Sequence, residues 1–508
     1  MSTINKKTNV LFIITDDQGY WSLGSYGNKD AITPNLDNLA NNGIRFDNFF
    51  CVSPVCSPAR ATIYTGRIPS QHGIHDWLND WSTGGVQTQY LNWKSVSSEC
   101  SNVFEWNNVK PTEEYLKGQS TFVDVLANNG YNCAFSGKWH LGASQKPQKG
   151  FKHWYCHQKG GGPYYNAPMF KDGNLIKVKE YITDSITDYG LEFLENQKNS
   201  NEPFFLNLNY TAPHDPWDSS NHPKDLLDLY NNSEFNSCPI EENHPWKIHW
   251  TFNGNNEQRK EVLKGYFASI TSVDNNIKRV LDKLKELGEL ENTLIIYTSD
   301  NGMNMGHHGI YGKGNGTSPV NMYDTSVKVP FFVTKFGDIK PRVCSDLLSH
   351  YDIRHTLLDY LNLEDSIEDD IDLPGKSFAD ILRNKDLEVN EDIVVYDEYG
   401  PTRMIRTKEF KLIHRYPAGP HELYDLVNDP NEKVNLINDS SKKTVIQKLR
   451  KDLKSWFIKY VNPEIDGATL PVFGGGQIGF AGLWGDGQGL FKKYNTNFIF
   501  SGDGKLKN

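Results

Sequence analysis

The sequence predicts an α/β fold: a large central, mostly parallel sheet flanked by helices. Three observations carry this. Short continuous apolar runs end in polar residues, as strands buried on both faces do. Between them lie amphipathic segments of helical period that stop at glycine. After about residue 385 the pattern changes to short strands separated by turns, which predicts a smaller C-terminal α+β subdomain on a short antiparallel sheet. The 508-residue chain is too long for one compact core. It therefore divides into a large domain, 1–385, and a C-terminal unit, 386–508.

The elements follow in order. "NVLFIIT" (9–15) reads as a strand buried on both faces. "TPNLDNLANNGIRF" (33–46) has helical spacing up to Gly43. "STFVDVLANNG" (120–130) repeats that pattern, and "YNCAFSG" (131–137) follows as a strand. "PFFLNLNYTAPHDPW" (203–217) is a strand entering a Pro-rich loop, and 265–290 reads as a long helix. "NTLIIYTSDNG" (292–302) is a strand ending in acid. Strands alternating with helices are the signature of an α/β sandwich. Past residue 385, "DIVVYDEYGPTRMIRTKEFKLIHRY" reads as a meander and 442–461 as an amphipathic helix. The tail "FGGGQIGFAGLWGDGQGLF" is rich in glycine and aromatics; a linker is one reading, and its Phe and Trp favour a loop packed over the mouth of the site.

Composition narrows the function class. Apolar residues make up 37%, charged residues 23%, and the formal net charge is -10. That balance argues against a nucleic-acid partner, which calls for a basic patch. No run reaches the roughly 18 apolar residues of a membrane span. The N-terminal apolar stretch runs straight into Asp16 and Asp17 with no small-residue cleavage site. The sequence as written therefore reads as cytoplasmic, or as periplasmic or secreted if a leader has been removed. Seven widely spaced cysteines without a CxxC pair argue against a disulfide framework or a zinc site.

Two strands end in acid, at Asp16–Asp17 and at Asp300–Asn301. Ligands of open parallel sheets sit beyond the carboxyl ends of strands. If these two strands are neighbours, three carboxylates and an amide oxygen converge, and such a set selects a hard cation, Ca²⁺ or Mg²⁺. The other reading makes these residues helix caps. In "SPVCSPARATIYTGR" (53–67), Ser57–Pro58 reads as a helix start, with Cys56 beside the positive helix end and Arg60. Both effects lower a thiol pKa and suit a nucleophile; a buried packing cysteine is the other reading.

C-S-P-A-R at 56–60 resembles the cysteine form of the type I sulfatase signature, and "TGRIPSQHG" its continuation. "GYNCAFSGKWHLG" (130–142) resembles the second sulfatase signature; "DDQG", "TAPHDPW" and "SDNG" resemble the family's metal and histidine segments, and "HELYDLVNDPNEKVNL" its small C-terminal subdomain. The segments occur in family order along nearly the whole chain. The resemblance implies an alkaline phosphatase-like fold and a sulfuric ester hydrolase whose Cys56 is oxidised by a sulfatase-maturing enzyme to Cα-formylglycine. It also implies that Asp16, Asp17, Asp300 and Asn301 hold a divalent cation, Ca²⁺ or Mg²⁺, together with the residue made from Cys56. Arg60 and Lys138 would hold the formylglycine, and His140 would take its proton. His214 and Lys313 would bind sulfate and protonate the leaving alcohol. Taken singly, His214 reads as a loop residue and the two lysines as solvated surface. "GIYGKGN" (309–315) lacks the spacing of a phosphate-binding loop.

His75, Asp76 and Trp77 in "GIHDW", with His307 and His308, are the candidates for substrate contacts; core packing is the other reading of Trp77. The expected substrate is a small sulfated saccharide. Two alternatives stand beside it. One is a phosphonate monoester hydrolase or phosphodiesterase of the same superfamily, distinguished by activity on aryl phosphodiesters. The other is a non-catalytic sulfated-glycan binding protein, which would bind without turnover.

Overall fold

The computed structural model describes residues 6–78, 114–248, 252, 254–363, 371–398, 401–416, 418–467 and 477. Apart from Gln477, the Gly-rich tail lies outside the described residues. The first twelve strands are β1 (Asn9–Thr15), β2 (Ile44–Phe46), β3 (Phe49–Phe50), β4 (Asn132–Gly137), β5 (His153–His157), β6 (Ala167–Lys171), β7 (Asn174–Val178), β8 (Phe204–Asn209), β9 (Thr293–Ser299), β10 (Phe331–Thr334), β11 (Arg342–Cys344) and β12 (Leu348–Ser349). β3 pairs with β12; the other ten form one sheet in the order β11-β2-β10-β9-β1-β8-β4-β5-β6-β7. From β9 through β1, β8 and β4 to β5 the pairing is parallel. β10 runs antiparallel between β9 and β2, and β6 and β7 add an antiparallel edge.

β1, β8 and β9 are buried at every residue, which is why they read as unbroken apolar runs rather than alternating ones. Their side chains still alternate between two cores. Val10, Phe12 and Ile14 pack with Ile63 and Tyr64 of the helix Cys56–Thr65, Phe122 and Leu126 of Phe122–Asn128, and Leu357 of Ile353–Tyr360. Leu11 and Ile13 face the other way, toward Ile186 and Phe193 of Ile182–Gln197 and Leu263, Ile270 and Ile277 of Asn256–Glu286. The long helix starts nine residues before the sequence expectation, where Asn255 accepts the Gln258 amide and Gln258 returns the bond.

The C-terminal sheet is an antiparallel meander of β13 (Asp392–Asp397), β14 (Thr402–Thr407), β15 (Phe410–Arg415) and β16 (Glu422–Asp425). Ile446, Leu449, Leu453 and Phe457 line one face of the helix Lys443–Tyr460 and pack on Val394, Ile405, Leu412 and Leu423. The other face of the sheet, with Val395, Met404 and Ile413, joins the main core. Buried Lys411 adds a polar tie, reaching Asp324 Oδ1 at 2.5 Å and Glu432 Oε1 at 2.6 Å. No described helix is long and apolar enough to cross a membrane.

Candidate active site

Sheet register builds the centre. Thr15 of β1 stands opposite Ser299 of β9, and Gly137 of β4 opposite Asn209 of β8. The next residues, Asp16, Asp300 and Lys138, therefore emerge side by side at the carboxyl ends of parallel strands. Asp17 takes a left-handed backbone, φ 61°. Its N–H and that of Asn301 both donate to Asp300 Oδ1, at 3.1 and 2.8 Å. Oxygens of Asp16, Asp17 and Asp300 lie within 4.8 Å of one another, and all three residues are buried.

Each carboxylate has its own cation. Lys138 Nζ donates to Asp16 Oδ2 at 2.5 Å, Lys313 Nζ to Asp17 Oδ1 at 2.6 Å, and Arg60 Nε to Asp300 Oδ2 at 2.8 Å. Arg60 is locked further by Nη1 bonds to the Lys138 carbonyl, 2.8 Å, and Asn209 Oδ1, 3.1 Å. Such burial of unlike charges is tolerated only when paired and hydrogen-bonded like this.

Cys56 opens the helix Cys56–Thr65, every residue of which is buried. Its Sγ lies 2.7 Å from Lys313 Nζ and 3.5 Å from Asp16 Oδ1. The sequence argument for an activated thiolate is corrected here. Burial pushes the thiol up to about 12, against the pull of Lys138 and Lys313, and Arg60 turns to Asp300 instead. The cysteine as such is a poor nucleophile in this setting.

The two histidines at the centre are shifted in opposite directions. Burial disfavours charge on His214, but Asp215, Asp16 and Asp17 outweigh it and raise its pKa to about 9. Its Nε2 stands 3.6 Å from Asp17 Oδ2, and Nδ1 3.0 Å from Asp215 Oδ1. His140 is pushed well below its ordinary value by burial first and Lys138 next. Its Nε2 is 3.0 Å from the Leu78 carbonyl, so that nitrogen carries the proton. Its Nδ1 is buried without a hydrogen-bond partner among the described residues. Environments that push two titratable groups apart divide acid from base.

The donor set fits a hard divalent cation. It is all oxygen apart from Cys56, and Asn301 Oδ1 is a buried acceptor without a donor among the described residues, while its Nδ2 binds Asp17 Oδ1 at 2.9 Å.

The other candidates make contacts of their own. His75 and Asp76 are buried, His75 Nε2 meeting the Ile465 carbonyl at 2.8 Å and its N–H donating to Gln477 Oε1 at 2.8 Å. Trp77 is half-buried, and its carbonyl accepts the Gln477 N–H at 2.8 Å. His307 packs on Trp21, ring centroids 4.8 Å apart, and His308 lies flat on Tyr323 at 3.6 Å. The contacts of His75, His307 and His308 run to these neighbours rather than to the carboxylates. The sequence reading missed His157 at the end of β5, buried with Nε2 unpartnered among the described residues. It also missed the Gly160–Gly162 segment that follows. A glycine run directly after a strand end was the signal available.

The sulfatase family model matches residues 8–363, and the model for the C-terminal part of N-sulphoglucosamine sulphohydrolase matches 306–459. An N-acetylglucosamine-6-O-sulfatase of Bacteroides thetaiotaomicron is 29% identical, covering 85% of this chain and 83% of that protein. An arylsulfatase of Clostridium perfringens is 28% identical, covering 88% and 94%. A solved structure described as BT4656 in complex with its substrate D-glucosamine-2-N,6-O-disulfate superimposes with a TM-score of 0.72 at 26% identity, over 90% of this chain and 98% of that one. The sheet and its layers are those of the alkaline phosphatase-like fold. With acids, paired cations and two histidines gathered around the cysteine of C-S-P-A-R, the chain belongs to the sulfatase family and is a sulfuric ester hydrolase.

Proposed function

We propose that this protein releases inorganic sulfate from a small sulfated saccharide, with Cys56 converted to formylglycine by a sulfatase-maturing enzyme. Asp16, Asp17, Asp300 and Asn301 would hold a divalent cation, Ca²⁺ by preference over Mg²⁺. We place the catalytic domain at 1–385 and the C-terminal subdomain at 386–508. One observation carries the reading: Cys56 sits beside Asp16, Asp17 and Lys313, where Asp16, Asp17 and Asp300 are each paired with a cation. The saccharide preference rests on the names of the relatives, an N-acetylglucosamine-6-O-sulfatase and a structure holding a glucosamine disulfate.

When present, formylglycine supplies the hydroxyl nucleophile that the buried thiol does not, and the cation polarises sulfate oxygens. The chain's own groups do the rest. Lys313 and His214 offer N–H donors and positive charge to the sulfate. His214 holds a proton at Nε2 to give to the leaving oxygen; Asp215 keeps the ring oriented through Nδ1. His140 Nδ1, with Nε2 committed to Leu78, is the acceptor for a proton. Arg60 and Lys138 fix the frame by binding Asp300 and Asp16.

The test is peptide mass spectrometry on protein co-expressed with a maturing enzyme, followed by rates on sulfated sugars and on an aryl phosphodiester. Conversion lowers the Cys56 peptide by roughly 18 Da, and sulfate release then follows. Conversion with faster phosphodiester cleavage favours the phosphonate hydrolase reading. A thiol that persists while a control sulfatase is converted sinks the nucleophile assignment.

A further inference from the structure

Directly after β5 the chain reads "QKGGGP", 158–163. A Cβ on Gly160 would lie 2.2 Å from both Cε1 and Nε2 of His140. One on Gly161 would lie 3.1 Å from His214 Cε1, and one on Gly162 2.9 Å from His157 Cε1. None of the three glycines has a left-handed φ, so space rather than backbone freedom demands glycine here. Three consecutive residues thus press bare backbone against three histidine rings, those of His140 and His214 in the loops after β4 and β8 and that of His157 at the end of β5. A second contact is independent of the glycines. Tyr164, from the same segment and itself buried, donates its hydroxyl to the His214 carbonyl at 2.8 Å. The segment is anchored by Gln158 N–H to the Pro168 carbonyl, 2.9 Å, and Tyr164 N–H to Asn221 Oδ1, 3.2 Å.

We propose that residues 160–164 are the positioning element for the two histidines of the reaction: Gly160 sets the ring of His140, and Gly161 with Tyr164 sets the ring and backbone of His214. This rests on the roles given to those histidines above. The two contacts differ in tightness, and that separates their consequences. A methyl at 161 needs His214 to yield a few tenths of an ångström. A methyl at 160 cannot be placed while His140 keeps its bond to Leu78. Misplacing a proton-transfer group by such amounts costs rate without removing the binding charges.

The experiment compares wild type, Gly161→Ala, Tyr164→Phe and Gly160→Ala on aryl sulfates of graded leaving-group acidity and on a sulfated sugar. Imidazole proton NMR and melting are recorded on the same proteins. Gly161→Ala is expected to lower kcat roughly tenfold or more on weakly acidic alcohols and to spare nitrophenyl sulfate, because only poor leaving groups need His214's proton. Tyr164→Phe moves the same way by a smaller factor. Gly160→Ala lowers kcat by a similar factor on every ester and loses the NMR signal of the His140–Leu78 bond. Equal losses across the ester series in Gly161→Ala, or no loss in any variant, overturn the proposal. Tyr164→Phe adds no atom, so it decides the matter if the alanine variants do not fold; an unchanged leaving-group dependence there overturns it too. A wild type inert toward every sulfate ester, with the rings still displaced in the variants, instead refutes the assigned reaction and leaves the positioning intact.

Discussion

Asp300→Asn separates a cation site from a self-contained ion-pair cluster. The oxygens of Asp16, Asp17 and Asp300 lie within 4.8 Å of one another. At an effective dielectric of about 20, each like-charge pair at that distance costs about 3.5 kcal/mol. Asp300 takes part in two of the three pairs, so neutralising it relieves about 7 kcal/mol on that scale. The same change weakens the 2.8 Å ion pair with Arg60, worth about 6 kcal/mol by the same rule. Lys138 and Lys313 attract Asp300 as well, and with Arg60 they hold its carboxyl well below the ordinary range despite burial, so the metal-free variant should melt below wild type. Cation binding is a separate loss, because one of three charged ligands is gone. Wild type at a hundredfold excess over Kd gains about 2.7 kcal/mol. With about 2.1 cal/mol/K of unfolding entropy per residue over 508 residues, that is a rise of about 2.5 °C. A variant with hundredfold weaker affinity rises by less than about 0.5 °C at the same concentration. The assay is calorimetry after chelation, with Ca²⁺ and Mg²⁺ titrated separately. A wild type that responds to neither ion, or a variant that keeps the full shift, refutes the reasoning.

Three further outcomes are expected. Arg60→Lys keeps a positive charge but loses the Nη1 bonds to the Lys138 carbonyl and Asn209. Sulfate-ester kcat should fall by about a hundredfold or more, measured on matured protein, since a lysine cannot reproduce the fork; a loss under threefold counts against a locked frame. Lys411→Met leaves buried Glu432 without this cation and Asp324 with Arg406 at 3.4 Å, and should cost about 3–5 kcal/mol by denaturant unfolding, with Glu432→Gln partly restoring it; an unchanged midpoint rejects the tie. For Asp352, burial raises the pKa to about 7 despite N–H donors from Lys376, Ser349 and Asn390. A raised pKa means stability is fully present below about pH 4 and is lost as pH rises through about 7. The melting advantage of wild type over Asp352→Asn should therefore shrink between these limits, and an advantage that grows with pH contradicts the burial argument.

How much of this was legible depended on where each residue sits in the layers. β1 and β9 were readable because both faces are covered, so Val10 to Ile14 and Leu294 to Thr298 carry no polar alternation strong enough to mislead. Their acidic ends pointed to the site because parallel pairing makes strand ends neighbours. β6 and β7 were unreadable for the converse reason: at a half-exposed edge, "NLIKV" looks like surface loop. The first turn of the helix Asn256–Glu286 is polar and exposed at 256–258, and hid its start. The thiol argument failed because a helix end and a nearby arginine are local features, whereas the burial that overrides them comes from the whole fold. The glycines after β5 carry meaning through the rings they meet, and two of those, His140 and His214, lie in loops after other strands, 20 and 53 residues away in sequence.

The complete burial of the helix Cys56–Thr65 also fixes a schedule. Arg60 must wait for Asp300, 240 residues further on, before the pair that closes the helix against the sheet can form. At a synthesis speed of about 5–20 residues per second that interval is on the order of 10–50 s. Any enzyme that alters Cys56 has that interval, while the chain is still growing, in which the residue stands open. Once β9 is in place the opportunity has passed, so the proportion of altered chains becomes a race between two catalysts, one modifying and one translating, and slowing translation should raise it.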